Sequence, residues 1–328
     1  MRSAHAGAVK HKSRDAQVTF GPVRLSAAMR EVDRVLRLVA PRNVAVMLQG
    51  ESGTGKEVLA RQLHELSSRR RGPFIPINCA AIPDALFESE LFGHERGAFT
   101  GATALSPGKI AAAETGTLFL DEIGEMPLSM QAKLLRFLEH RRYMRLGGSV
   151  KHQADVRMIF ATLRPLAQDV QAGRFRADLY YRIQGVTVTV PPLRERHADL
   201  GPLVRQFVAQ LSAAHGTPPP RVSRAALSAL RRHPWPGNVR ELRNVVELMC
   251  LLRAGRIVRV SDLPASILSP AGPRPEELRL ALDRPLAALV EQILAATLEA
   301  EGGHRGRAAR RLGIDVRTLE RRLGPGAA

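Results

Sequence analysis

Two cysteines in 328 residues, Cys79 and Cys250, are too few and too isolated for a disulfide framework. Neither has a second cysteine or a histidine at metal-ligand spacing, so both are expected to be buried free thiols. The chain also lacks an apolar run of the roughly 18 to 20 residues needed to span a membrane, and its N-terminus has no continuous apolar stretch of the kind found in secretory leaders. These absences point to a cytoplasmic protein without a membrane segment. Acidic residues are scarce too: 31 Asp and Glu against 49 Lys and Arg leave a formal charge of +18. Such an excess favours a polyanion partner, nucleic acid first, although an arginine-rich genome would give the same total. Where the arginines sit has to decide.

The length allows two or three domains with ample core. Residues 1 to 18 are polar and basic, with Lys10, His11, Lys12 and Arg14, and read as a disordered arm too short to be a sensory domain. From Val23 onward Leu25, Met29, Val32, Val35, Leu36 and Val39 recur at helical spacing. They lead into the apolar run Val44 to Leu48 and the loop Gly50-Glu51-Ser52-Gly53-Thr54-Gly55-Lys56. A strand, a glycine-rich turn and a helix start present unpaired backbone N–H groups and a helix-dipole end to an anion, with a lysine to reach terminal phosphates. The generic phosphate loop has Ser or Thr after that lysine to hold magnesium. Glu57 stands there instead, so a second element is needed before a nucleotide is inferred.

Thr117-Leu118-Phe119-Leu120-Asp121-Glu122 supplies it. A β-prone run ending in two carboxylates offers one group to magnesium and another to polarise an attacking water. Phe74 to Asn78 and Met158 to Thr162 read as further strands. Strands alternating with helices imply a mostly parallel sheet covered on both faces, with ligands at the carboxyl ends where Gly50, Asp121 and Thr162 fall. Between these strands the segment Glu88 to Ala102 shows no helical period. It reads either as a surface turn with a buried Phe or as a mobile loop with Phe99 near its tip, suited to gripping a partner.

Five segments together, Gly50 to Glu57 (GESGTGKE), Gly97 to Ala102 (GAFTGA), Gly116 to Glu125 (GTLFLDEIGE), Gly173 to Arg182 (GRFRADLYYR) and Trp235 to Asn244 (WPGNVRELRN), resemble the central AAA+ domain of bacterial enhancer-binding proteins. These ATPases activate RNA polymerase carrying sigma-54, and the likeness runs from about residue 18 to 264. The family pattern has Glu where Glu57 stands. The resemblance implies that ATP is held by Gly50, Glu51, Ser52, Gly53, Thr54, Gly55, Lys56, Glu57 and Thr162, with Arg240 of the lid reporting nucleotide state. It implies that Asp121 holds Mg2+, that Glu122 polarises water, and that Asn78 senses the γ-phosphate and communicates with Glu122. Arg176 and Arg182 match fingers supplied in trans, which demands a ring, a homo-hexamer or a hetero-oligomer with a related activator. Gly97, Ala98, Phe99, Thr100, Gly101 and Ala102 match the sigma-54 contact. Two departures stand out. Leu163 replaces a polar residue after Thr162 and cannot hydrogen-bond through its side chain, leaving coupling there weaker or to Thr162 alone. Ile110 and Ala111 replace Phe and Glu behind the loop, which implies differently tuned loop movement.

Residues from about 198 to 258 carry helical spacing in Leu200, Leu203, Val204, Phe207, Val208 and Leu211, and again in Leu242, Val245, Val246, Leu248 and Met249, as expected for a helical lid broken at Pro218 to Pro220. Pro264, Pro270, Pro273 and Pro275 mark a linker over 263–284. After Pro285 one apolar face is followed by a short helix, the turn Gly313-Ile314-Asp315 and a second helix, a helix-turn-helix that resembles the Fis-type domain ending such activators. Arg305, Arg317, Thr318, Arg321 and Arg322 are the expected contacts to double-stranded DNA, and the crowding of arginine here makes part of the charge functional.

The expected fold is therefore an α/β P-loop AAA+ parallel sheet (19–194), an α-helical lid (195–262) and a small all-α helix-turn-helix domain (285–328). The expected protein binds an upstream activating sequence and uses ATP to remodel sigma-54 RNA polymerase. With no receiver or ligand-sensing domain in the sequence, control would fall to expression level, a separate regulatory protein or a co-assembling relative. Two other readings remain: a AAA+ remodeller of another target, which loss of any sigma-54 contact would favour, and a DNA-binding repressor with weakened ATPase coupling, which specific DNA binding without hydrolysis would favour.

Overall fold

The computed structural model describes residues 23–268 and 285–323. The expected basic arm and most of the expected linker lie outside the described residues. The chain divides after Pro264 into two compact units.

Helix α1 (Ala27–Val39) starts where Ser26 Oγ accepts the Met29 N–H at 3.2 Å, and it buries Met29, Val32, Leu36 and Val39. Leu25, counted in that stripe from the sequence, precedes the helix and is 55% exposed. In chain order there follow β1 (Val46–Gln49), α2 (Lys56–Glu65), β2 (Phe74–Asn78), α3 (Asp84–Phe92), α4 (Gly108–Ala112), β3 (Thr117–Asp121) and α5 (Leu128–His140). A hairpin of short antiparallel strands pairs β4 (Arg142–Tyr143) with β5 (His152–Gln153), then come β6 (Arg157–Thr162), α6 (Leu166–Gln171), α7 (Ala177–Ile183) and β7 (Val186–Thr189).

The sheet runs β2-β3-β6-β1-β7 with every pairing parallel. Alternation along each strand feeds two cores. Val46, Leu48, Phe119, Ile159 and Ala161 pack with α1 and α2 on one face, while Met47, Leu118, Leu120, Met158 and Phe160 pack with Phe87, Ile110, Leu134 and Phe137 on the other. The register aligns Gln49 with Thr162 and Asn78 with Asp121, so the carboxyl ends of four strands form one edge. β7 is the strand the sequence left unnamed; it is a short edge strand whose outer residues are exposed. Conversely, residues 88–92, read as aperiodic loop, end helix α3. Phe87, Ser89, Leu91 and Phe92 are all buried there, and a helix covered on several sides shows no amphipathic stripe.

The lid comprises α8 (His197–His215), α9 (Arg224–Arg232), α10 (Asn238–Leu252), a short parallel pair β8 (Arg221–Val222) and β9 (Ile257–Val258), and the turn-length α11 (Ala265–Leu268) follows within the expected linker. Pro218 to Pro220 do separate α8 from α9. Leu248, assigned from the sequence to the apolar stripe of α10, is 40% exposed, whereas Leu242, Val246 and Met249 are buried.

Asp199, fully buried in the first turn of α8, accepts from Leu25 N (2.6 Å), Ser26 N (2.8 Å) and Ser26 Oγ (2.7 Å). It therefore ties the lid to the start of α1. Replacing it with Ala strands three donors, of which the two of Ser26 are buried and worth about 1–3 kcal/mol each when left unpaired. Thermal or denaturant unfolding of D199A is expected to show a loss of about 2–4 kcal/mol. An unchanged midpoint would show that water or relaxation satisfies those groups.

In the second unit α12 (Leu286–Ala300), α13 (Arg305–Leu312) and α14 (Val316–Leu323) enclose Leu294, Leu298, Ala308 and Leu319. Gly313, at φ +66°, ends α13 in the left-handed conformation, and Asp315 accepts the Arg317 N–H at 2.8 Å as α14 begins. Of the apolar face expected on α12, Leu294 and Leu298 are buried and Leu286 is 76% exposed.

Candidate functional site

The loop between β1 and α2 places Gly53 at φ +74° and Gly55 at φ +100°. A Cβ at Gly55 would meet nothing within 4 Å, which leaves its backbone facing open space at the start of α2, where helix N–H groups are unpaired. Lys56 is 6% exposed, and its Nζ donates to the loop's own Gly50 and Glu51 carbonyls at 2.9 and 3.3 Å. Thr54 Oγ1 donates to Glu51 O at 2.8 Å, and Gly50 N–H to Thr162 O at 3.2 Å. The donor set, with open space beside Gly55, fits a polyphosphate. Glu57, included in the cradle from the sequence, turns to the exposed face of α2 and pairs with Arg61 at 3.8 Å.

Asp121 ends β3, and burial raises its carboxyl pKa first, the Glu122 charge raises it further, and Lys56 opposes both. A carboxyl shifted in this direction gains from a cation that restores its charge. Glu122 adopts a left-handed backbone, φ 52° and ψ 51°, uncommon for a residue with a Cβ and typical of functional turns. Its Oε1 lies 3.5 Å from Lys56 Nζ and its Oε2 accepts the backbone N–H of Leu163 at 3.0 Å. Leu163 thus contributes through its main chain what its side chain, 49% exposed, cannot. Asn78 lies beside Asp121 in register, but its Oδ1 accepts from Ala80 N at 3.0 Å rather than meeting Glu122. Thr162 is 1% exposed, and its Oγ1 accepts the Arg164 N–H at 2.9 Å, fixing the turn that presents Leu163. Nearby Cys79 is buried, its thiol pushed up to about 12 by burial with Asp121 and Glu122 adding to it, so it is an inert free thiol, as is Cys250 in its buried state.

The lid closes directly on this loop. Arg240, in the first turn of α10, donates to Ser52 Oγ at 2.9 Å. Asn238, fully buried with φ 52°, donates to Glu51 Oε2 at 3.1 Å and Ser52 O at 3.0 Å and accepts from Leu193 N at 2.8 Å. Val239 N–H reaches Gly53 O at 2.9 Å, and a Cβ on Gly53 would come within 2.4 Å of Gly237 O. Arg194 grips Glu51 with two bonds of 2.6 and 2.8 Å, and buried Arg196 donates to Thr54 O at 2.7 Å. Arg194, Arg196 and Asn238 were not singled out from the sequence. Their contacts span about 140 to 190 positions, a separation that leaves no local pattern; the LRER run after Pro192 was the available signal.

Arg176 precedes α7 and Arg182 lies in its last turn, both exposed. Gln131 Oε1 accepts the Arg176 N–H at 2.8 Å, while the Arg176 guanidinium pairs with Asp178 at 2.7 Å; Arg182 donates to Leu138 O at 3.2 Å. Among the described residues, neither guanidinium contacts the cradle of its own chain.

The GAFTGA segment forms a closed tip. Gly97 N–H donates to Ala102 O at 2.8 Å and Ala102 N–H to Phe99 O at 3.0 Å, leaving Thr100 and Gly101 exposed. Phe99, 37% exposed, rests its ring edge-on against His94 at 5.0 Å, and His94 is hydrogen-bonded to Ser89 Oγ at 2.7 Å. The base of the loop hangs on the β4–β5 hairpin. Glu95 N–H donates to Leu146 O and Leu146 N–H to Gly93 O, at 3.0 and 2.9 Å, Arg145 pairs with Glu95 at 3.0 Å, and Gly147 abuts Ala98. Ile110, in place of Phe, is fully buried behind the loop.

In α14, Arg317, Arg321 and Arg322 are exposed, Thr318 is half-buried beside buried Leu319, and half-buried Arg305 bridges from α13 to Glu320 at 3.5 Å. The helix thus shows three arginines to solvent, with Leu319 as its anchor.

Three family matches cover most of the chain: the sigma-54 interaction domain over residues 23–189, the AAA+ ATPase lid domain over 194–279, and the Fis family of bacterial regulatory proteins over 290–324. The chain is 44% identical over 305 residues to the transcriptional regulatory protein ZraR of Klebsiella oxytoca, covering 93% of this chain and 68% of that one. It is 41% identical over 340 residues to the DNA-binding transcriptional regulator NtrC of Rhizobium meliloti (strain 1021), covering 94% and 70%. The crystal structure of NtrX from Brucella abortus in complex with ATP superposes with a TM-score of 0.69 at 35% identity, covering 93% of this chain and 69% of that one. Phosphate cradle, acidic strand end, lid, tip loop and helix-turn-helix are thus joined in one chain that belongs to the sigma-54-dependent transcriptional regulators, AAA+ ATPases with a Fis-type DNA-binding region.

Proposed function

We propose that this chain binds ATP with Mg2+ at the β1–α2 loop, assembles into a ring, and uses hydrolysis to drive its GAFTGA loop against sigma-54 polymerase held near promoter DNA. The observation that carries this reading is the continuous linkage at one sheet edge: Glu122 touches Lys56 and Leu163, and the lid residues Arg240 and Asn238 touch the phosphate loop. That NtrX, a similar protein, was crystallised in complex with ATP supports nucleotide binding by this chain.

Lys56 would give up its loop carbonyls for the β and γ phosphates, and Asp121 would hold magnesium, which needs only one or two carboxylates when phosphates complete its shell. When bound, that ion neutralises charge building on the transferred phosphoryl group. Glu122 would orient the attacking water, and the Leu163 N–H fixes the carboxylate until phosphate draws Lys56 away. Arg176 and Arg182 of a neighbouring copy would complete the site. Arg240 would exchange Ser52 for phosphate, so that nucleotide state is passed to the lid. The second unit would place Arg317, Thr318, Arg321 and Arg322 in a major groove, with Arg305 on the backbone. A cytoplasmic setting fits these partners, and no helix among the described residues is long and apolar enough to cross a membrane. The ring, a homo-hexamer or a hetero-oligomer with a related activator, is open to a separate regulatory protein.

Thr100→Ala tests the loop. Permanganate reactivity of a sigma-54 promoter is expected to fall at least about tenfold while ATP turnover stays within about twofold, because Thr100 touches only the partner. ATP-dependent opening that survives the substitution would detach the loop from the function.

A further inference from the structure

Apart from the phosphate cradle, a groove of about 800 Å³ lies between α3, α5 and the β4–β5 hairpin. Six of its lining residues are Lys, Arg or His, namely Lys133, Arg136, His140, Arg142, Arg145 and Lys151, against two carboxylates, Glu88 and Glu139. Lys133 is paired with Glu88, and Arg145 with Glu95. Arg136, Arg142 and Lys151 are exposed and form no ion pair among the described residues. Between them Met144 lies 50% exposed, with half-buried Leu146 beside it. Three unneutralised cations around a flexible thioether are suited to an anionic chain that also carries an apolar side chain.

Two observations choose the occupant. The aromatic rings of the groove, Phe92 and Tyr143, are 3% and 8% exposed, so bases of a single-stranded nucleic acid would find no stacking platform. Further, Arg145, Leu146 and Gly147 line the groove and also hold Glu95 and Ala98 of the GAFTGA loop. The groove and the base of the loop therefore share one wall, which makes the groove continuous with the proposed partner contact. We infer that this groove receives an acidic segment, bearing at least one apolar side chain, of the same sigma-54 partner that the loop contacts. The inference rests on the proposed function and adds to it a second, charge-reading contact.

Association of the full chain with purified sigma-54 in ADP–aluminium fluoride, followed by biolayer interferometry at low and high salt, tests it. The charge reversal R136E/R142E/K151E is expected to weaken binding at least about tenfold at low salt and to flatten the salt dependence, with ATP turnover within about twofold of the parent. Met144→Ser, which leaves the charges intact and guards against misfolding of the triple variant, is expected to weaken binding a few-fold with the salt dependence unchanged. Parent-like binding by both variants overturns the groove while leaving the loop reading intact, provided Thr100→Ala still lowers binding. Retained sigma-54 binding with lost affinity for single-stranded DNA would assign the groove to nucleic acid instead. No binding by the parent chain would overturn the proposed function and this inference together.

Discussion

Glu122→Gln should lower ATP turnover by about 10²–10⁴-fold, the usual worth of a positioned general base. Nucleotide affinity should change little. The substitution keeps size and the left-handed backbone, and the amide oxygen can still accept from Leu163 N–H in place of Oε2. What disappears is the charge that faces Lys56 at 3.5 Å and would polarise water. Single-turnover hydrolysis alongside fluorescent-nucleotide titration separates the two effects, since a lower rate at unchanged affinity marks a group acting in the transition state. A variant that hydrolyses within tenfold of the parent would move the base to another group. Its nucleotide-loaded, non-hydrolysing state would also show whether Arg240 leaves Ser52 on binding alone, readable as altered protection of the α10 start in hydrogen exchange.

Removing Arg176 or Arg182 is expected to cost a comparable or larger factor, about 10³–10⁵, if each neutralises phosphoryl charge at a neighbour's site. Arg176, just before α7, is held by Asp178 two residues on, and Arg182, in the last turn of α7, by the Leu138 carbonyl; both are exposed. That arrangement leaves them available to another copy without reaching their own cradle. Mixing decides between own-chain and neighbour supply. An R176A chain retains its cradle, and a Lys56→Ala chain retains its fingers, so mixed rings should recover turnover that neither variant shows alone. Absence of recovery in rings shown by sedimentation to be mixed would place the arginines within their own subunit's chemistry or in assembly.

The sites that read clearly from sequence are those in which chemistry is compressed into a few consecutive residues. Gly50 to Lys56 and Asp121-Glu122 each occupy one loop or strand end, so composition and spacing carry their meaning, whereas the GAFTGA segment takes its meaning from the family resemblance. The strands did too, because β1, β3 and β6, buried on both faces, are unbroken apolar runs. The edge strand β7 is short and half-exposed, and α3 is buried all round, so neither shows the period that would mark it. Glu57 illustrates a different limit: its place in the motif is plain, but its side chain follows the helical geometry of α2 outward to Arg61.

The sequence by itself determined the order of strand, phosphate loop, acidic strand end, lid and helix-turn-helix, because each is a local pattern of apolar spacing and turn residues. It placed as well, on one chain, the segments expected to meet nucleotide, sigma-54 and DNA. Only the tertiary structure decided how they are wired. Leu163 looks like a loss in sequence, since its side chain cannot bond; the fold turns its backbone N–H onto Glu122, a contact every residue but proline can make. Arg194, Arg196 and Asn238 become the clamp on the phosphate loop through bonds across the fold. Asp199 likewise joins α8 to α1. Such contacts depend on where distant segments are brought by burial of the two cores, and burial is a property of the folded whole rather than of any stretch of it.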